Sequence, residues 1–398
     1  MQRKLADAGI SLWETGLKHG TLTFRYQKNA YEITTFRRDG PYEDFRRPQW
    51  VEFTSSLRED LARRDFTINA MAWHWRDGLA DPFGGAADME ARVIRAVGAA
   101  EDRLQEDALR IMRGIRFAGS LDFVLESGLA SAMTEKAALL GRISLERLAS
   151  ELQAMLMLPS PRRALALLAE MGIWPYLAPE MAATVGFDQS SKHHHLNVYE
   201  HMAQTAENAP PMLAVRLAAL FHDVAKPAVF TLDENGKGHF RRHEIEGAKM
   251  ASGMMDRLRF SHAVRDRAVM LIRFHMLHLK KLTDADLRKA ISELPKPRAD
   301  SLEEMLCLQK ADLMASRHTA QSLEDFGRFA ERCRGVLADG CPLDVADLAI
   351  RGAELEGLGL APADRGKAQR AMLEEVLRDP GQNRRPALLA IVEQFRSG

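Results

Sequence analysis

Two short segments rich in charged residues constrain this chain more than any other feature. They are Arg63-Arg64-Asp65-Phe66-Thr67-Ile68-Asn69-Ala70 and Glu106-Asp107-Ala108-Leu109-Arg110-Ile111-Met112-Arg113-Gly114-Ile115-Arg116-Phe117. Arginine, carboxylate and amide groups concentrated in this way are suited to holding a triphosphate and a ribose. In the second segment Asp107 and Arg110 stand three positions apart, and on a helix that spacing places both side chains on one face. The two segments therefore predict a nucleoside-triphosphate site.

The pair formed by Asp107 and Arg110 has a specific chemical use. A carboxylate accepts a hydrogen bond from an exocyclic amine, while a guanidinium donates to a neighbouring ring acceptor. Cytosine and adenine both display an amine beside a ring nitrogen, whereas guanine and uracil present the opposite polarity at that edge. One Asp/Arg pair can thus select C and A without a nucleic-acid template.

Composition limits the class of protein. The chain has 398 residues, of which 46% are hydrophobic, so it is long enough for several packed units. Its net charge is +0 and its pI is near 7.2, so an RNA contact must use local basic patches and DNA is not an expected partner. Cys307, Cys333 and Cys341 fit neither a metal spacing nor a disulfide framework, which favours a reducing cytoplasm. Neither a leader nor a membrane-spanning run is evident, so we expect a cytoplasmic protein without membrane contact.

Strand signals are confined to the start of the chain. Residues 22–26 and 31–36 are rich in β-branched and aromatic side chains, and the turn-like stretch 27–30 separates them, which predicts a hairpin. From Glu101 onward, apolar residues recur at helical intervals nearly to the C-terminus. The pattern predicts an α+β chain: a mixed α/β head followed by helical segments.

Several ordered motifs resemble the class II tRNA nucleotidyltransferases, the family of the bacterial CCA-adding enzymes and poly(A) polymerases. Besides the two charged segments, they are residues 15–21, 31–37, 81–85 (Asp-Pro-Phe-Gly-Gly), 143–147 (Ile-Ser-Leu-Glu-Arg) and a histidine-rich block from about His193 to Asp312. The resemblance implies a nucleotidyltransferase α/β head at 1–95, an all-helical neck at 96–158 that recognises the base and RNA, and a body at 159–190. It further implies an HD metal phosphohydrolase domain at 191–316 and a tRNA-binding helical tail at 317–398.

The same resemblance implies an activity and a role for each matching residue. The activity is CCA addition to the 3′ end of tRNA from CTP and ATP, with Mg²⁺ for nucleotidyl transfer. Matching positions place Arg64 at the triphosphate, Asp65 at the ribose and Asn69 at the nucleotide, with Glu32 near the catalytic metal. Asp107 and Arg110 would meet the base edge. Arg113 and Arg116 would point towards the phosphates, although on a charged helix face they could instead pair with Glu106 or Asp102.

One family feature has no counterpart in this sequence. Family members open with a strand, a Gly-Gly turn and an Asp-x-Asp pair that holds the catalytic metals, and metal ions are central to nucleotidyl transfer. The only Asp-x-Asp here is Asp284-Ala285-Asp286, in a polar helical stretch far downstream. The sequence favours a start codon upstream of Met1, so that the chain is N-terminally truncated. The alternatives are a protein that has lost nucleotide addition, and an unstable fragment.

The histidine-rich block carries a second, independent signal. His201, the adjacent pair His222-Asp223 and Asp312 resemble the HD phosphohydrolase pattern, with His243 as a further ligand. His275 and His278 are additional candidates. Imidazole and carboxylate groups bind divalent metals, and Mg²⁺, Mn²⁺ and Ni²⁺ all fit this donor set. The resemblance implies a phosphatase or cyclic phosphodiesterase acting on RNA ends or nucleotides.

Three functions therefore stay open at this point. CCA addition is the leading one, and poly(A) synthesis is its sibling because the two activities share these motifs. The third is a metal-dependent phosphohydrolase whose head only binds RNA. The sequence leaves the oligomeric state undecided.

Overall fold

The computed structural model describes residues 12–16, 20–27, 29–40, 49–188, 196–234 and 238–395. Its backbone contacts divide the chain into two units. The first unit comprises residues 1–182 with 257–259, and the second comprises 183–256 with 260–398. Each unit is described separately below.

Most of the strands lie in the first unit, where they form small sheets. They are β1 (Leu12–Gly16), β2 (Thr21–Tyr26), β3 (Asn29–Thr34), β4 (Arg37–Asp39), β5 (Val51–Phe53), β6 (Ala72–His74), β7 (Gly78–Ala80), β8 (Val93–Ile94) and β9 (Val124–Leu125). β1, β2 and β3 form an antiparallel sheet, β4 pairs with β5, β6 pairs with β7, and β8 pairs with β9 in parallel. β2 and β3 are joined in register from Thr21↔Thr34 to Tyr26↔Asn29. The hairpin predicted from the sequence is confirmed.

The helices of the first unit alternate with the later strands and continue beyond them. They are α1 (Leu57–Ala62), α2 (Gly85–Glu90), α3 (Ala100–Glu106), α4 (Leu109–Leu121), α5 (Ser127–Glu135), α6 (Leu145–Leu156), α7 (Arg162–Glu170), α8 (Trp174–Leu177) and α9 (Pro179–Ala182). α4 is central because it packs against both α6 and α7. Its face formed by Ile111, Ile115 and Ala118 is fully buried, and these residues recur at the three- and four-residue spacing of an amphipathic helix.

The expectation that Asp107 and Arg110 share one helix face is wrong. Asp107 is the C-cap of α3 and has extended backbone angles, φ −141° and ψ 102°, whereas Arg110 lies in the first turn of α4. The break arises because the Asp107 carboxylate accepts the backbone N–H of Leu109 at 3.1 Å. Short acidic side chains at helix ends often compete in this way with continuous helical hydrogen bonding.

The second unit is almost entirely helical. Its helices are α10 (Val198–Asn208), α11 (Leu213–Phe221), α12 (Lys226–Val229), α13 (His243–Arg257), α14 (His262–Phe274), α15 (Asp284–Ser292), α16 (Arg298–Ala315), α17 (Ala320–Ala338), α18 (Gly352–Gly357), α19 (Pro362–Arg378) and α20 (Arg385–Gln394). α11 packs against α10, α14 and α16. Every residue of α11 from Val215 to Phe221 is buried, as expected for a helix that is surrounded by others.

Two strands in the second unit were not expected. β10 (Thr231–Leu232) and β11 (Gly238–His239) form a short antiparallel ladder. The prediction that strands occur only near the start of the chain is therefore wrong. Two residue pairs are too few to produce a readable alternation of apolar and polar side chains.

The last helices have a small core of their own. Buried residues from α18, α19 and α20 join into one cluster that includes Leu355, Met372 and Val392. The mixed α+β fold class is confirmed, whereas the finer domain boundaries remain predictions. None of the described helices is both long and apolar enough to cross a membrane.

Candidate nucleotide and metal sites

A cavity of about 470 Å³ in the first unit gathers most of the predicted nucleotide-binding residues. It is lined by Arg63, Arg64, Asp65, Asn69, Asp107, Arg110, Arg113 and Phe117. Two predicted residues, Arg116 and Glu32, are not among the lining residues. Arg63 and Phe117 were not predicted as site residues, although both lie within the two charged segments.

Asp60 fixes the first charged segment in place. This carboxylate is 3% exposed and accepts from Arg63 Nη2 at 2.8 Å and from Arg64 Nη2 at 3.4 Å. Burial opposes ionisation of Asp60, but the guanidinium of Arg63, the backbone N–H of Arg37 and the charge of Arg64 together lower its pKa. The two arginines therefore project from α1 and the following turn in a defined direction.

Asp65 organises the floor of the cavity. One carboxylate oxygen accepts the backbone N–H of Phe66 at 2.9 Å and the amide of Asn69 at 3.0 Å. The other accepts from Arg113 Nε at 2.7 Å and Nη2 at 2.6 Å. Because two nitrogens of Arg113 donate to one oxygen, this ion pair restricts the orientation of the guanidinium. In this structure Asp65 orients Asn69 and Arg113 towards the cavity.

Arg110 and Asp107 both line the cavity, yet separate partners hold them. Arg110, which is 7% exposed, donates to the carbonyls of Arg103 at 2.9 Å and Arg63 at 3.0 Å and to Glu106 at 2.7 Å. Asp107 accepts from Arg147 Nη2 at 2.9 and 3.3 Å. Arg147 of α6 therefore holds the carboxylate of the predicted base-reading pair.

Arg116 points away from the cavity and binds Glu151 of α6, with Nε 2.6 Å from the carboxylate. It therefore pairs with neither Glu106 nor Asp102. The Phe117 ring lies between two cations, with ring-centroid distances of 5.4 Å to the Arg113 guanidinium and 4.5 Å to that of Arg116. Cation–π contacts of this kind restrict both arginines.

The carboxylates considered for the catalytic metal lie elsewhere. Glu32 is exposed on β3 and stands opposite Thr23. Asp286 closes a capping box with Thr283 at the start of α15, and Asp284 binds Arg332 at 2.7 Å. Both aspartates of the Asp-x-Asp sequence thus have structural partners, which disfavours them as metal ligands.

The second unit gathers four histidines and two aspartates in one buried cluster. They are His201, His222, Asp223, His243, His275 and Asp312, and each is 9% exposed or less. They come from five places in the chain: α10, the end of α11, the start of α13, the end of α14, and α16. Three overlapping sets of ligand atoms, His201/His222/Asp223, His222/His275/Asp312 and Asp223/His243/His275, lie within 4.8 Å of one another.

Local structure presents each ligand. α10 begins with a capping box between Asn197 and Glu200, which places His201 at the fourth residue of the helix. His222 and His275 are the C-caps of α11 and α14, and His243 opens α13. Helix ends therefore supply three of the four imidazoles.

Backbone carbonyls fix the tautomers of those three histidines. Nδ1 lies 2.9 Å from the Ala219 carbonyl in His222, 2.8 Å from the Phe240 carbonyl in His243 and 2.6 Å from the Ile272 carbonyl in His275. A carbonyl only accepts, so Nδ1 carries the proton and the neutral ring directs a lone pair from Nε2. Metal-ligating histidines are usually oriented in this way.

The Nε2 atoms then meet in pairs. His201 and His222 approach to 3.3 Å, and His243 and His275 approach to 3.2 Å. Facing lone pairs repel unless a cation lies between them. The donor set of imidazoles and carboxylates is therefore suited to a divalent ion.

The charge balance of the cluster also favours a cation. Burial opposes protonation of His222, but Asp223 and Asp312 outweigh it and raise its pKa. Burial, together with the charges of His222 and His243, lowers the pKa of His275 to about 3. Burial likewise opposes ionisation of Asp223, yet His222, Lys226 and His243 hold its pKa well below the usual range. The carboxylates stay ionised and attract positive charge to the centre.

A cavity of about 540 Å³ opens onto this cluster. Besides five of the six cluster residues, all except His222, its wall includes Lys226, Phe240, Met276, His278 and Arg317. Lys226 Nζ contacts Asp223 at 2.6 Å. His278 is stacked edge-on against Phe326, with ring centroids 5.7 Å apart, and lies in the wall without joining the ligand sets. His193, His194 and His195 fall outside the described residues.

His275 is the ligand candidate whose importance the sequence analysis underestimated. The only signal was its position three residues before His278 in a helical stretch. Spacing alone did not show which of the two histidines is the ligand. Packing decides between them, because α14 ends against α16 and directs His275 inward.

Three protein-family models match successive parts of this chain. The model "Poly A polymerase head domain" matches residues 1–95, "Probable RNA and SrmB- binding site of polymerase A" matches 122–184, and "HD domain" matches 192–316. The chain thus combines a polymerase-type nucleotidyltransferase head with an RNA-binding segment and an HD domain. The class predicted from the sequence is confirmed.

The curated relatives of this chain include CCA-adding enzymes. A CCA-adding enzyme from Geobacillus kaustophilus is 49% identical over 172 residues, which are 43% of this chain and 42% of that enzyme. A CCA-adding enzyme from Listeria monocytogenes is 47% identical over 167 residues, again 42% of each chain. The matched stretch therefore spans about two fifths of the length of these curated relatives. The resemblance to the class II tRNA nucleotidyltransferases, with an HD domain, is confirmed.

Solved structures of CCA-adding enzymes have a fold similar to that of this chain. A Bacillus stearothermophilus CCA-adding enzyme in complex with CTP matches with a TM-score of 0.68 and 27% identity, over 97% of this chain and 84% of that one. A Thermotoga maritima CCA-adding enzyme complexed with tRNA matches with a TM-score of 0.54 and 18% identity, over 98% and 83%. At the lower identity the likeness speaks only for the fold.

Proposed function

We propose that this protein adds C and A to the 3′ end of tRNA, with CTP and ATP as substrates and Mg²⁺ as the metal of nucleotidyl transfer. The observation that supports this most is the first-unit cavity. There Asp107 and Arg110 converge with five further arginine, aspartate and asparagine side chains from the first charged segment and α4. The CCA-adding relatives, one of them solved with CTP, support the same assignment. Poly(A) synthesis is the alternative, and a cytoplasmic location is part of the proposal.

The residues of the cavity suit template-free choice of nucleotide. Asp107 offers an acceptor to an exocyclic amine, while Arg110 offers a donor to the adjacent ring nitrogen. Because Arg147 and Glu106 hold these two side chains, the pattern they present is rigid. Uracil and guanine reverse the positions of donor and acceptor. A base acceptor then faces Asp107 and a base donor faces Arg110, which weakens binding.

The remaining arginines suit the triphosphate. Arg64 is partly exposed at the cavity, and the guanidinium of Arg113 is held by Asp65. A divalent ion would supply charge neutralisation on the phosphates. Glu32 stays a proposal for the metal side of the reaction, resting on the resemblance alone.

Binding and incorporation together test this function. Calorimetric titration with the four ribonucleotides should give CTP and ATP affinities at least about tenfold above those of UTP and GTP. A protein that carries an Asp-x-Asp metal pair ahead of these residues should then incorporate labelled CTP and ATP into tRNA that lacks its terminal CCA. Runs of A without C would favour poly(A) synthesis. Equal binding of all four nucleotides would contradict the proposed reading of the base.

We infer a second function, metal-dependent phosphate hydrolysis, from the buried histidine cluster. A divalent ion there would activate water for attack on phosphorus. Lys226 lies in the cavity wall beside Asp223 and offers a cation to a phosphate oxygen. The wall residues Phe240 and Met276 offer an apolar surface to the remainder of the substrate.

The two oxygens of Asp223 suggest two metal positions. Oδ2 lies 3.2 Å from His222 Nε2, while Oδ1 lies 3.3 Å from His243 Nε2. His201, His222 and Asp223 would thus hold one divalent ion, and Asp223, His243 and His275 would hold a second. Asp312 Oδ1, 2.9 Å from His201 Nε2, adds a ligand on the first side. Mg²⁺, Mn²⁺ and Ni²⁺ remain the candidate ions.

Hydrolysis and metal content test the second function separately from the first. The double variant His222→Ala/Asp223→Ala should lose hydrolysis of phosphomonoesters and cyclic nucleotides and should lose bound Mn²⁺ in equilibrium dialysis. Nucleotide binding by the first unit should be unchanged. Hydrolysis that persists in the double variant would exclude the cluster as the hydrolytic centre.

A further inference from the structure

The hairpin β6–β7 carries an apolar outer surface. Trp73 is 72% exposed, Trp75 65% and Leu79 55%. Trp73 and Leu79 stand directly opposite each other in the antiparallel register. Single exposed apolar residues are ordinary on a protein surface, but three large ones on nine consecutive residues indicate a binding surface.

Two arginines next to this surface have aromatic partners. The Arg76 guanidinium lies 4.2 Å from the Trp75 ring centroid, and that of Arg58 lies 5.3 Å from the Phe83 ring. Within the described ranges, neither arginine pairs with a carboxylate. Nearby acids are engaged, since Asp77 binds His74 at 2.6 Å and Asp81 accepts the backbone N–H of Gly85. Two guanidinium charges are therefore available to an anion.

The hairpin and the Arg58–Phe83 pair border the same small core. Ala72 of β6 and Phe83 both pack against the cluster of Leu61, Ala70 and Val97. The exposed tryptophans and the two arginines thus belong to one region of the first unit. Aromatic rings beside unneutralised guanidinium groups favour single-stranded nucleic acid, whose bases stack and whose phosphates carry charge.

The chain itself places this region beside the nucleotide cavity. Asn69 lines the cavity and β6 begins at Ala72. Three residues span at most about 11 Å between their Cα atoms, so the hairpin begins within that distance of a residue that lines the cavity. An RNA end that enters the cavity therefore lies within reach of the hairpin.

We propose that the tryptophan hairpin, residues 72–80, binds the single-stranded 3′ end of the acceptor RNA. Bases stack on Trp73 and Trp75, while Arg76 and the adjacent Arg58 contact phosphates. Stacking suits this role because it tolerates any base, and the terminal base changes with each addition. The assignment rests on the proposed nucleotidyl transfer for its ligand.

Fluorescence anisotropy with labelled RNA tests the hairpin. The ligands are a single-stranded RNA of about ten nucleotides, and a blunt RNA duplex as competitor. Trp73→Ala/Trp75→Ala should weaken binding of the single strand about fivefold to a hundredfold, whereas Trp73→Phe/Trp75→Phe should retain most of the affinity. CTP binding should not change. Thermal melting checks that each variant is folded.

Salt dependence tests the two arginines. Arg58→Gln and Arg76→Gln should each reduce the slope of log affinity against log salt by about 0.7, the value for one phosphate contact on a single strand.

Trp50→Ala is the matched control for the tryptophan variants. Trp50 is 47% exposed and has its own arginine, Arg38, at 6.0 Å, but it lies outside the hairpin. It should leave affinity for the single strand unchanged.

Several outcomes would overturn the inference. Unchanged affinity in folded Trp73→Ala/Trp75→Ala would do so, and so would a blunt duplex that competes as well as the single strand. If the double variant converts an oligomer to a monomer, the surface joins copies of this chain and does not bind RNA. Failure of the nucleotidyl-transfer proposal is distinct, because it appears as absent CTP selectivity in the wild-type protein.

Discussion

The guanidinium of Arg147 contacts both oxygens of Asp107, at 2.9 and 3.3 Å, across forty positions of sequence. Arg147 lies on α6, and Asp107 lies in the break between α3 and α4. The contact connects α6 to the segment between α3 and α4. It also means that the predicted base-reading carboxylate does not depend on Arg110 for its orientation.

Replacing Arg147 should therefore relax the choice of nucleotide. In Arg147→Ala we expect the ratio of kcat/KM for CTP over UTP to fall about tenfold or more, since a hydrogen bond to a charged group contributes about 1.5–3 kcal/mol. Arg147→Lys should recover only part of the loss because it lacks the planar fork. Arg328→Lys, on the exposed surface of α17, is the control. An unchanged ratio in Arg147→Ala would show that Asp107 needs no such support.

Asp65 should act on nucleotide binding through Arg113. Asp65→Asn removes the charge that holds Nε and Nη2 of Arg113 on one carboxylate oxygen, so the KM for CTP should rise about tenfold. Steady-state incorporation at varied CTP measures this. Asp102→Asn, on the exposed side of α3, should leave KM unchanged. A fall in kcat alone would instead assign Asp65 to the chemical step.

The two metal positions proposed for the histidine cluster predict a change in the number of bound ions when one ligand is removed. His275→Ala should lower the Mn²⁺ bound per chain from two to one, because it removes one member of the His243–His275 pair and spares the His201–His222 pair. Equilibrium dialysis gives the count, and electron paramagnetic resonance should lose the signal of a coupled Mn²⁺ pair. His262→Ala, exposed at the start of α14, is the control. A count of one Mn²⁺ per chain in the wild-type protein would contradict the proposal of two metal positions.

Asp344 should make the second unit sensitive to acid. Its carboxylate binds Arg298 Nη2 at 2.9 Å and Lys296 Nζ at 2.7 Å, and the hydrogen bond from Arg298 is the main reason that its pKa lies well below the ordinary value near 4. Because the folded-state pKa is depressed, the stabilisation is complete above about pH 5 and is lost as the pH falls through the folded pKa.

Asp344→Asn should accordingly destabilise the protein by about 2 kcal/mol at pH 7 and by progressively less below pH 4. The urea midpoint of the second unit, followed by circular dichroism at several pH values, measures the difference. Asp339→Asn, an exposed neighbour at the end of α17, should shift the midpoint little at any pH. A deficit that stays constant with pH would mean that the charge of Asp344 is not what stabilises this region.

Much of the fold and of both candidate sites could be predicted from local sequence. The β2–β3 hairpin could be read from its β-branched residues, because side-chain spacing and turn residues act over only a few positions. The segments around Arg64 and Asp107 identified six of the eight residues that line the nucleotide cavity. His201, His222, Asp223, His243 and Asp312 were likewise found by their motif, and they lie in one buried cluster.

Other features depended on neighbours that the sequence does not reveal. The pattern suggested one helix through Asp107 and Arg110, but the Asp107 side chain ends α3 by accepting the N–H of Leu109. Arg116 was assigned towards the phosphates, yet Glu151 of another helix takes up its charge. The two-residue strands β10 and β11 leave no periodic signal.

The sequence by itself determined which residue types are present, the helical and strand periodicities, and the class of chemistry that the two motif sets can perform. Only the tertiary structure decided that Asp65 holds Arg113, that Arg147 holds Asp107, and that His243 faces His275. The physical reason is distance along the chain. Periodicity and capping act within a few residues, whereas these partners are 48, 40 and 32 positions apart and meet only when the helices that carry them pack together.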